Sequence, residues 1–420
     1  MIENDVVVVH PIQQHSHLLA NVLYKHDRLS CLYTTMYFDE NTFLYKLLNA
    51  VLPKKYKYKL SSKMNLPFDK KVKSYYTILG LIFIGLGKTH IPKRFLNVYR
   101  EWLTKIFSKK VARDIRKNTN IKYIISFDTY SYFLYKYLIN SNLIKILDMS
   151  SIPINVINKI ISFEIQKNYN FTKDLKRTKK SFTKKMSDRS LHEIKMSDRF
   201  LVASTFTQKS LTETFENAIS KKISIAPYFI DSRFFNMRES HNIADKVNFL
   251  FVGRLTAVKG FHYLLEAIKK LHSSAEFKFV GHIQLSKEYI DSLPANIKYL
   301  GVIDKSQMCN IYSTSNVLIF PSLFDGFGQA IIEAMASSMP VIVTKNSGAS
   351  DYVTDEENGF IIEPGNIESL VEKIQWMIDN KDKIDSMGKN SYKIAIEFTE
   401  KNYYKKVAEI IGFEGEQDEN

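Results

Sequence analysis

Residues 320–340 read FPSLFDGFGQAIIEAMASSMP. An apolar run ends at Phe320, a loop with two glycines follows, and an apolar segment with helical spacing begins near Gly328. This order predicts a strand, a tight loop and a helix. The unpaired N–H groups in the first turn of such a helix, together with the helix dipole, attract anions. The stretch therefore predicts a site for an anion such as a diphosphate.

Two carboxylates in the same stretch indicate a second part of the ligand. Asp325 stands just before the predicted helix, and Glu333 follows eight residues later, a little more than two helical turns. At that spacing, one can accept hydrogen bonds from sugar hydroxyls and the other from ribose hydroxyls. Asp325 as the helix N-cap is the alternative, and it is compatible with binding. Glu333 lies on an otherwise apolar helix, where a carboxylate without a partner costs several kcal/mol, so we expect it to bind a ligand.

Apolar runs alternate with helical patterns around this stretch, which predicts a parallel sheet covered by helices on both faces. Several predicted strands end in glycine, where a ligand can approach the backbone closely. In such sheets the ligand lies beyond the carboxyl ends of the strands. The predicted strands span residues 247–252, 277–280, 297–300, 317–320, 341–344 and 359–362, and the predicted helices lie at 261–271, around 308–312, at 330–337 and at 367–379.

The first half of the chain predicts a second α/β unit with insertions. A length of 420 residues exceeds what one hydrophobic core supports, so two domains of about 200 residues each are expected. We place the N-terminal domain at residues 1–230 and the C-terminal domain at 231–400, with a helix near 400–415 that can pack back on the N-terminal domain. The predicted strands of the first half lie at 6–9, 30–35, 123–127, 144–147, 200–203 and 223–225.

The stretch at 320–340 resembles the E-x7-E region of the retaining GT-B glycosyltransferases of family 4. The resemblance implies an α/β fold of the GT-B type, with two Rossmann-like domains that face each other across a cleft. It also implies a nucleotide-sugar donor and transfer with retention, without a metal or another cofactor. Four further segments match in the same order: IAPYFIDSRFF (225–235), FVGRLTAVKG (251–260), YLGVIDKSQMCNIYSTSNVLIFPS (299–322) and NSGASDYVTDEENGFIIEPGN (346–366).

The resemblance assigns roles to individual residues. Arg254 and Lys259 would hold the donor diphosphate, although both can also be ordinary surface cations. Asp325, a glutamate in most of the family, would contact the donor sugar and Glu333 the ribose, and these four residues form the predicted catalytic set. The predicted donor-binding set adds Gly253 beside Arg254, and Val302 and Ile303 against the nucleotide base. It also includes the backbone of Gly326, Phe327, Gly328 and Gln329.

The resemblance is weaker in the first half. The family histidine that touches the donor phosphate has no clear counterpart in HPIQQHSHLLA (10–20). His15 and Asp148 are therefore candidates for the acceptor side. A histidine that is merely exposed, or that caps the following helix, is the alternative for His15.

The charge is divided unevenly along the chain. Residues 1–240 contain 41 Lys and Arg against 19 Asp and Glu, a net +22, whereas residues 241–420 carry −7. A basic half favours a polyanionic partner such as an anionic membrane surface, touched through regions 54–117 and 173–185. A merely solvated basic surface is the alternative, and the chain has no nucleic-acid-binding motif. Residues 75–87 predict an interfacial helix or a buried core helix, too short to span a bilayer.

Together these features predict a hexosyltransferase of bacterial surface polysaccharide synthesis, in an O-antigen, capsule or lipopolysaccharide pathway. The expected donor is UDP- or GDP-linked, and the expected acceptor is a saccharide or a polyprenyl-linked saccharide. The expected location is the cytoplasm, with peripheral attachment to the inner face of the plasma membrane as an option. The alternatives are a GT-B scaffold or binding subunit with weakened catalysis, and a sugar-nucleotide epimerase of the same fold.

Overall fold

The chain forms two compact units. The first unit comprises Met1–Met149, Asp188–Leu201 and Ala408–Asn420, and the second comprises Ser150–Ser187 and Val202–Val407. The computed structural model describes residues 4–12, 15–35, 37, 46, 50, 66–87, 91–167, 172–215, 223–238, 240, 243, 245–272, 275–283 and 293–412. About a quarter of the predicted basic region 54–117, namely 54–65 and 88–90, lies outside these residues.

The first sheet has seven strands in the order β3-β2-β1-β4-β5-β6-β7. Strand β1, an inner strand of this sheet, is a run of four valines, all buried, as expected for a strand covered on both faces. The pairs β1·β2, β1·β4, β2·β3 and β4·β5 are parallel. The strands are β1 (Val6–Val9), β2 (Leu29–Thr34), β3 (Val72–Ser74), β4 (Tyr123–Phe127), β5 (Ile144–Met149), β6 (Arg199–Val202) and β7 (Ile223–Ile225).

The second sheet has six strands in the order β10-β9-β8-β11-β12-β13, and every neighbouring pair is parallel. Successive residues of its central strand face opposite layers: Phe249 and Phe251 enter one apolar cluster and Leu250 the other. The strands are β8 (Asn248–Val252), β9 (Glu276–Val280), β10 (Ile297–Gly301), β11 (Val317–Phe320), β12 (Val341–Thr344) and β13 (Gly359–Ile362).

Helices cover both sheets. Of the predicted helices of the second half, three end within one residue of their expected bounds, and the one predicted around 308–312 begins three residues earlier, at Lys305. Among the described residues, no helix has both the length and the apolar character required to cross a bilayer. The helices are α1 (Ser16–Lys25), α2 (Thr77–Leu86), α3 (Lys93–Ile115), α4 (Tyr132–Tyr137), α5 (Ile154–Gln166), α6 (Thr172–Ser181), α7 (Lys184–Met196), α8 (Thr205–Phe215), α9 (Phe261–Lys270), α10 (Lys305–Ser313), α11 (Gln329–Ala336), α12 (Ile367–Asp379), α13 (Ile384–Ala395) and α14 (Glu400–Ile410).

Helices α5 and α6 belong to the second unit although they precede β6 in the sequence. Ile161 and Leu175 are buried in one cluster with Tyr263 and Leu323. The carboxylate of Asp174 accepts a hydrogen bond from the Ala257 amide at 2.8 Å. The contacts thus assign residues 150–187 to the second unit, whereas the domain boundary at 230 and 231 stays a prediction.

Candidate functional site

The loop between β11 and α11 carries the stretch at 320–340. Helix α11 begins after Gly328, whose φ of +85° lies in the left-handed region. A Cβ at Gly328 would stand 2.8 Å from the Ile331 side chain, so glycine is favoured by both conformation and space. The first-turn amides of α11 thus lie at the carboxyl end of a central parallel strand.

Gly326 fixes the middle of this loop to the rest of the second unit. Its carbonyl accepts hydrogen bonds from the Ser204 hydroxyl at 2.6 Å and from the Thr207 hydroxyl at 3.2 Å. A Cβ at this position would lie 2.4 Å from the carbonyl oxygen of Ser150. The loop is therefore held on two sides, and only glycine permits this close approach.

Asp325 is tied into the same loop by both carboxylate oxygens. Oδ1 accepts a hydrogen bond from the Phe327 amide at 3.1 Å, and Oδ2 pairs with the ammonium group of Lys259. Both side chains are 20% exposed. The N-cap position of α11 is Gly328, so Asp325 stabilises the preceding turn and not the helix itself.

Lys259 and Arg254 lie on the neighbouring loop after β8. Gly260 follows Lys259 in a left-handed conformation, and a Cβ there would meet the Pro321 carbonyl oxygen at 1.8 Å. This contact brings the two loops together and places Lys259 beside Asp325. Arg254 is exposed, and among the described residues its guanidinium has no hydrogen-bond or ion-pair partner. Lys259 is therefore not an ordinary surface cation, whereas Arg254 is open to an anion.

Glu333 is held from within the unit. The Tyr312 hydroxyl donates to its Oε2 at 2.9 Å. Burial raises the pKa of the Glu333 carboxyl to about 7, against the lowering effects of the Tyr312 hydrogen bond and the Lys305 charge. A carboxylate offers about four lone-pair positions, and Tyr312 occupies one of them. Glu333 therefore titrates near pH 7, and its carboxylate form can accept further hydrogen bonds from a ligand.

The remaining predicted donor residues occupy different settings. Val302, just after β10, is 73% exposed, and Ile303 is partly buried against the core. Gly253, just after β8, lies against the backbone of Gly281. A Cβ added to Gly281 would stand only 1.8 Å from the Gly253 carbonyl oxygen. Phe327 differs from the prediction, because its amide donates to Asp325 and its carbonyl accepts from the Ala349 amide. Among the described residues, the amides of Gly326, Gly328 and Gln329 in this stretch donate no hydrogen bond within the chain.

In the first unit, the structure brings together the two candidates for the acceptor side. His15 Nε2 lies 3.3 Å from Asp148 Oδ2, and the imidazole edge packs on Phe127 at a centroid distance of 5.1 Å. Asp148 is 1% exposed and His15 18%. The His15 side chain makes no capping hydrogen bond to α1, so the capping alternative is wrong. The pair presents an oriented imidazole at the carboxyl ends of β1 and β5.

The supporting residues Tyr312, Ser204, Thr207 and Asp174 were not predicted from the sequence. Ser204 and Thr207 follow β6, and no local pattern shows that they bond to Gly326, which lies more than a hundred residues later. Among the described residues, no group of three His, Cys, Asp or Glu side chains could hold a metal ion. Metal-independent chemistry stays a prediction.

Comparisons with known proteins agree with this architecture. Residues 233–394 match the family model described as glycosyl transferases group 1. A capsular polysaccharide biosynthesis glycosyltransferase, CapM of Staphylococcus aureus, is 31% identical over 150 residues, which cover 34% of this chain and 40% of that protein. The UDP-Gal:alpha-D-GlcNAc-diphosphoundecaprenol alpha-1,3-galactosyltransferase of Escherichia coli is 29% identical over 187 residues, 40% of this chain and 48% of that protein. The chain thus spans less than two thirds of the length of these relatives.

The fold match extends over nearly the whole chain. HepE of Anabaena, solved in complex with UDP and glucose, superposes with a TM-score of 0.64 at 15% identity and covers 97% of this chain and 99% of its own. The prediction of a GT-B fold is confirmed. The match to the group 1 glycosyltransferase family covers residues 233–394 and supports the predicted activity, which stays a prediction for the whole chain. Retention and membership of family 4 stay predictions.

Proposed function

We propose that this chain transfers a hexosyl group from a nucleotide sugar to a saccharide or polyprenyl-linked saccharide. The observation that carries the proposal is Glu333, a partly buried carboxyl with one hydrogen bond from Tyr312 and a pKa of about 7. It lies on the helix whose first turn follows the Lys259–Asp325 pair. A nucleotide sugar has hydroxyls that can donate to Glu333 and a diphosphate that can bind beside Lys259.

The diphosphate leaving group would be stabilised by fixed positive charge. As the bond between the anomeric carbon and the phosphate oxygen breaks, negative charge develops on the diphosphate. Arg254, Lys259 and the amides of Gly328 and Gln329 can stabilise that charge electrostatically. No protein nucleophile is required if the acceptor hydroxyl attacks from the face that the diphosphate leaves and passes its proton to the departing phosphate oxygen, which gives retention.

The nucleoside would lie along the carboxyl ends of β10 and β11. The ribose hydroxyls donate to Glu333, and the base covers the exposed Val302 and the adjoining Ile303. A UDP- or GDP-linked donor fits this arrangement, and the complex of HepE with UDP and glucose supports the uridine form. Asp325, with its oxygens already bonded, would reach the sugar through one of its remaining lone pairs.

The acceptor would meet the His15–Asp148 pair, which can orient an acceptor hydroxyl. The galactosyltransferase relative acts on a diphosphoundecaprenol-linked sugar, and CapM belongs to capsular polysaccharide biosynthesis. These names support an acceptor of bacterial surface polysaccharide synthesis.

One observation favours a second candidate, a scaffold or binding subunit with weakened catalysis. The Asp325 side chain is one methylene shorter than that of the glutamate found in most of the resembled family. Both its carboxylate oxygens are already engaged, one by Lys259 and the other by the Phe327 amide. Transfer or donor hydrolysis by the purified chain distinguishes the two candidates.

Arg254→Ala tests the proposed function. The variant lacks one of the positive charges proposed to stabilise the departing diphosphate, so turnover is expected to fall at least 100-fold. The matched control is Arg177→Ala, which replaces an exposed arginine on α6 and should retain the parent turnover. Wild-type turnover in Arg254→Ala would show that the assignment is wrong. The donor is identified beforehand by thermal stabilisation with UDP-, GDP- and dTDP-sugars, since a ligand at 100 times its Kd adds about 2.7 kcal/mol.

A further inference from the structure

The outer surfaces of α2 and α3 carry an unusual concentration of exposed apolar side chains. Of the twelve large apolar side chains that are exposed among the described residues, six lie between Tyr76 and Trp102. Helix α2 reads TILGLIFIGL, and only Gly80 is buried. A core helix of this composition would be covered on most sides, so the buried-helix alternative for residues 75–87 does not describe it.

Apart from Arg94, the exposed residues of α3 lie on a single stripe, which continues to Arg116 just after the helix ends. They recur at intervals of three or four positions, which keeps them on one face of the helix. The first three are apolar and the last four are basic. In order, the stripe is Phe95, Val98, Trp102, Lys105, Lys109, Arg113 and Arg116.

The apolar end of this stripe is joined to the exposed face of α2. The Tyr99 hydroxyl donates to the Leu79 carbonyl at 3.0 Å, and the Tyr99 ring stacks on Phe83 at a centroid distance of 6.1 Å. On α2 the outward residues are Ile78 and Ile82, one turn apart and 58% and 44% exposed. The two helices thus pack against each other, and both carry exposed apolar side chains. We call these apolar side chains the apolar patch, and the four cations that follow them along the stripe the basic row.

We propose that this α2–α3 surface binds an anionic lipid bilayer. The apolar patch enters the boundary between headgroups and acyl chains, and the basic row lies against the phosphates. Charge complementarity selects this occupant, because an apolar patch flanked by four cations matches an anionic headgroup layer above hydrocarbon. The inference deepens the proposed function, since a membrane-bound acceptor can be reached only by a chain that lies on the membrane.

Vesicle sedimentation tests the apolar patch with matched isoleucines. The double variant Ile78→Asp/Ile82→Asp is compared with Ile139→Asp/Ile396→Asp, whose side chains are 61% and 41% exposed elsewhere. Binding is measured on vesicles of equal parts phosphatidylglycerol and phosphatidylcholine at low salt. The first double variant should lose at least tenfold in partition coefficient, and the second should remain near the parent. Equal losses in both, or no binding by the parent, would overturn the proposal.

The basic row has its own matched pair. Lys105→Glu/Lys109→Glu is compared with Lys298→Glu/Lys389→Glu, two exposed lysines of the second unit. The variant should lose at least about 30-fold in partition coefficient, because loss of two positive charges at about fivefold each already gives that factor and the new negative charges add to it. Vesicles of phosphatidylcholine alone should bind the parent much more weakly. Equal binding to both vesicle types would contradict the charge argument.

Two further measurements separate this proposal from other outcomes. If Ile78→Asp/Ile82→Asp converts a dimer to a monomer in sedimentation velocity and leaves vesicle binding intact, the surface joins two copies and the proposal is overturned. Nucleotide-sugar binding by the same variants should equal that of the parent. If the parent binds vesicles through this surface but binds no nucleotide sugar, the proposed function fails and the membrane surface stands.

Discussion

At the scale of single residues, Glu333 shows how a carboxyl can be prepared for a ligand. The folded chain disfavours its charge because burial outweighs the help from Tyr312 and Lys305. Ribose hydroxyls that donate to the carboxylate would repay this cost, because hydrogen bonds to a charged acceptor are stronger than those to a neutral one. The same residue thus governs both ligand affinity and the stability of the empty chain.

Nucleotide-sugar binding should depend on pH through Glu333. With a pKa of about 7, the fraction of the binding-competent carboxylate rises about tenfold between about pH 6 and pH 8. The nucleotide sugar has no group that titrates in this interval, so the association constant from calorimetry should rise by the same factor. Glu333→Gln should bind more weakly, with little pH dependence. An equal pH dependence in the variant would assign the effect to another group.

Glu333 should also make the empty chain less stable as the pH rises. Its pKa is raised from 4.5 to about 7 in the folded chain, so between these values the folded state keeps a proton that the unfolded state has lost. The free energy of unfolding therefore falls across this interval. Glu333→Gln should raise the free energy of unfolding by about 3 kcal/mol at about pH 8 and leave it unchanged at about pH 4. Urea unfolding at both pH values measures the difference.

The His15–Asp148 pair yields a prediction for the acceptor side. If the imidazole orients an acceptor hydroxyl, His15→Asn should reduce acceptor-dependent turnover about 100-fold or more and leave nucleotide-sugar affinity unchanged. Asp148 acts through His15, so the Asp148→Asn loss should not add to the His15→Asn loss in the double variant. His192→Asn, an exposed histidine of α7, is the control. Fully additive losses would show that the two residues act independently.

At the scale of elements, the loop before α11 requires glycine at position 326 because of a close backbone contact and not because of a positive φ. A Cβ on Gly326 would lie 2.4 Å from the Ser150 carbonyl oxygen, whereas a Cβ on Gly85 of α2 meets nothing within 4 Å. Gly326→Ala should therefore lower the free energy of unfolding by about 1–3 kcal/mol and weaken nucleotide-sugar binding. Gly85→Ala should stabilise the chain by about 0.5–1 kcal/mol. Denaturant titration measures both changes, and a neutral Gly326→Ala would mean that the loop moves freely.

The elements also show what a sequence can and cannot predict. Strands such as 317–320 and helices such as 367–379 were predicted at their observed bounds, because buried parallel strands and amphipathic helices carry strong local periods. The loop residues Asp325 and Gly326 were found through their motif. The bonds from Ser204 to Gly326 and from His15 to Asp148 join residues more than a hundred positions apart. No local pattern encodes such partners.

At the scale of the whole molecule, the parts that would hold the donor all belong to the second unit, including residues 150–187. Asp174 of α6 accepts from the Ala257 amide on the loop of Lys259, and the Ser150 backbone lies against Gly326. A bound nucleotide sugar stabilises the unit that holds it, and amide exchange reports such stabilisation locally. The donor should therefore slow exchange in α5 and α6 as well as in β8 and α11.

Hydrogen exchange with and without the identified nucleotide sugar tests this coupling. Slowed exchange is expected in Ile154–Gln166 and Thr172–Ser181 together with Asn248–Val252 and Gln329–Ala336, and helix α3 of the first unit is the internal reference. Asp174→Asn removes the charge on the acceptor for the Ala257 amide, so it should reduce the protection of α6 and weaken donor binding severalfold without unfolding the chain. If α5 and α6 exchange at the same rate in both states, the segment is only packed on the second unit and does not support the donor loops.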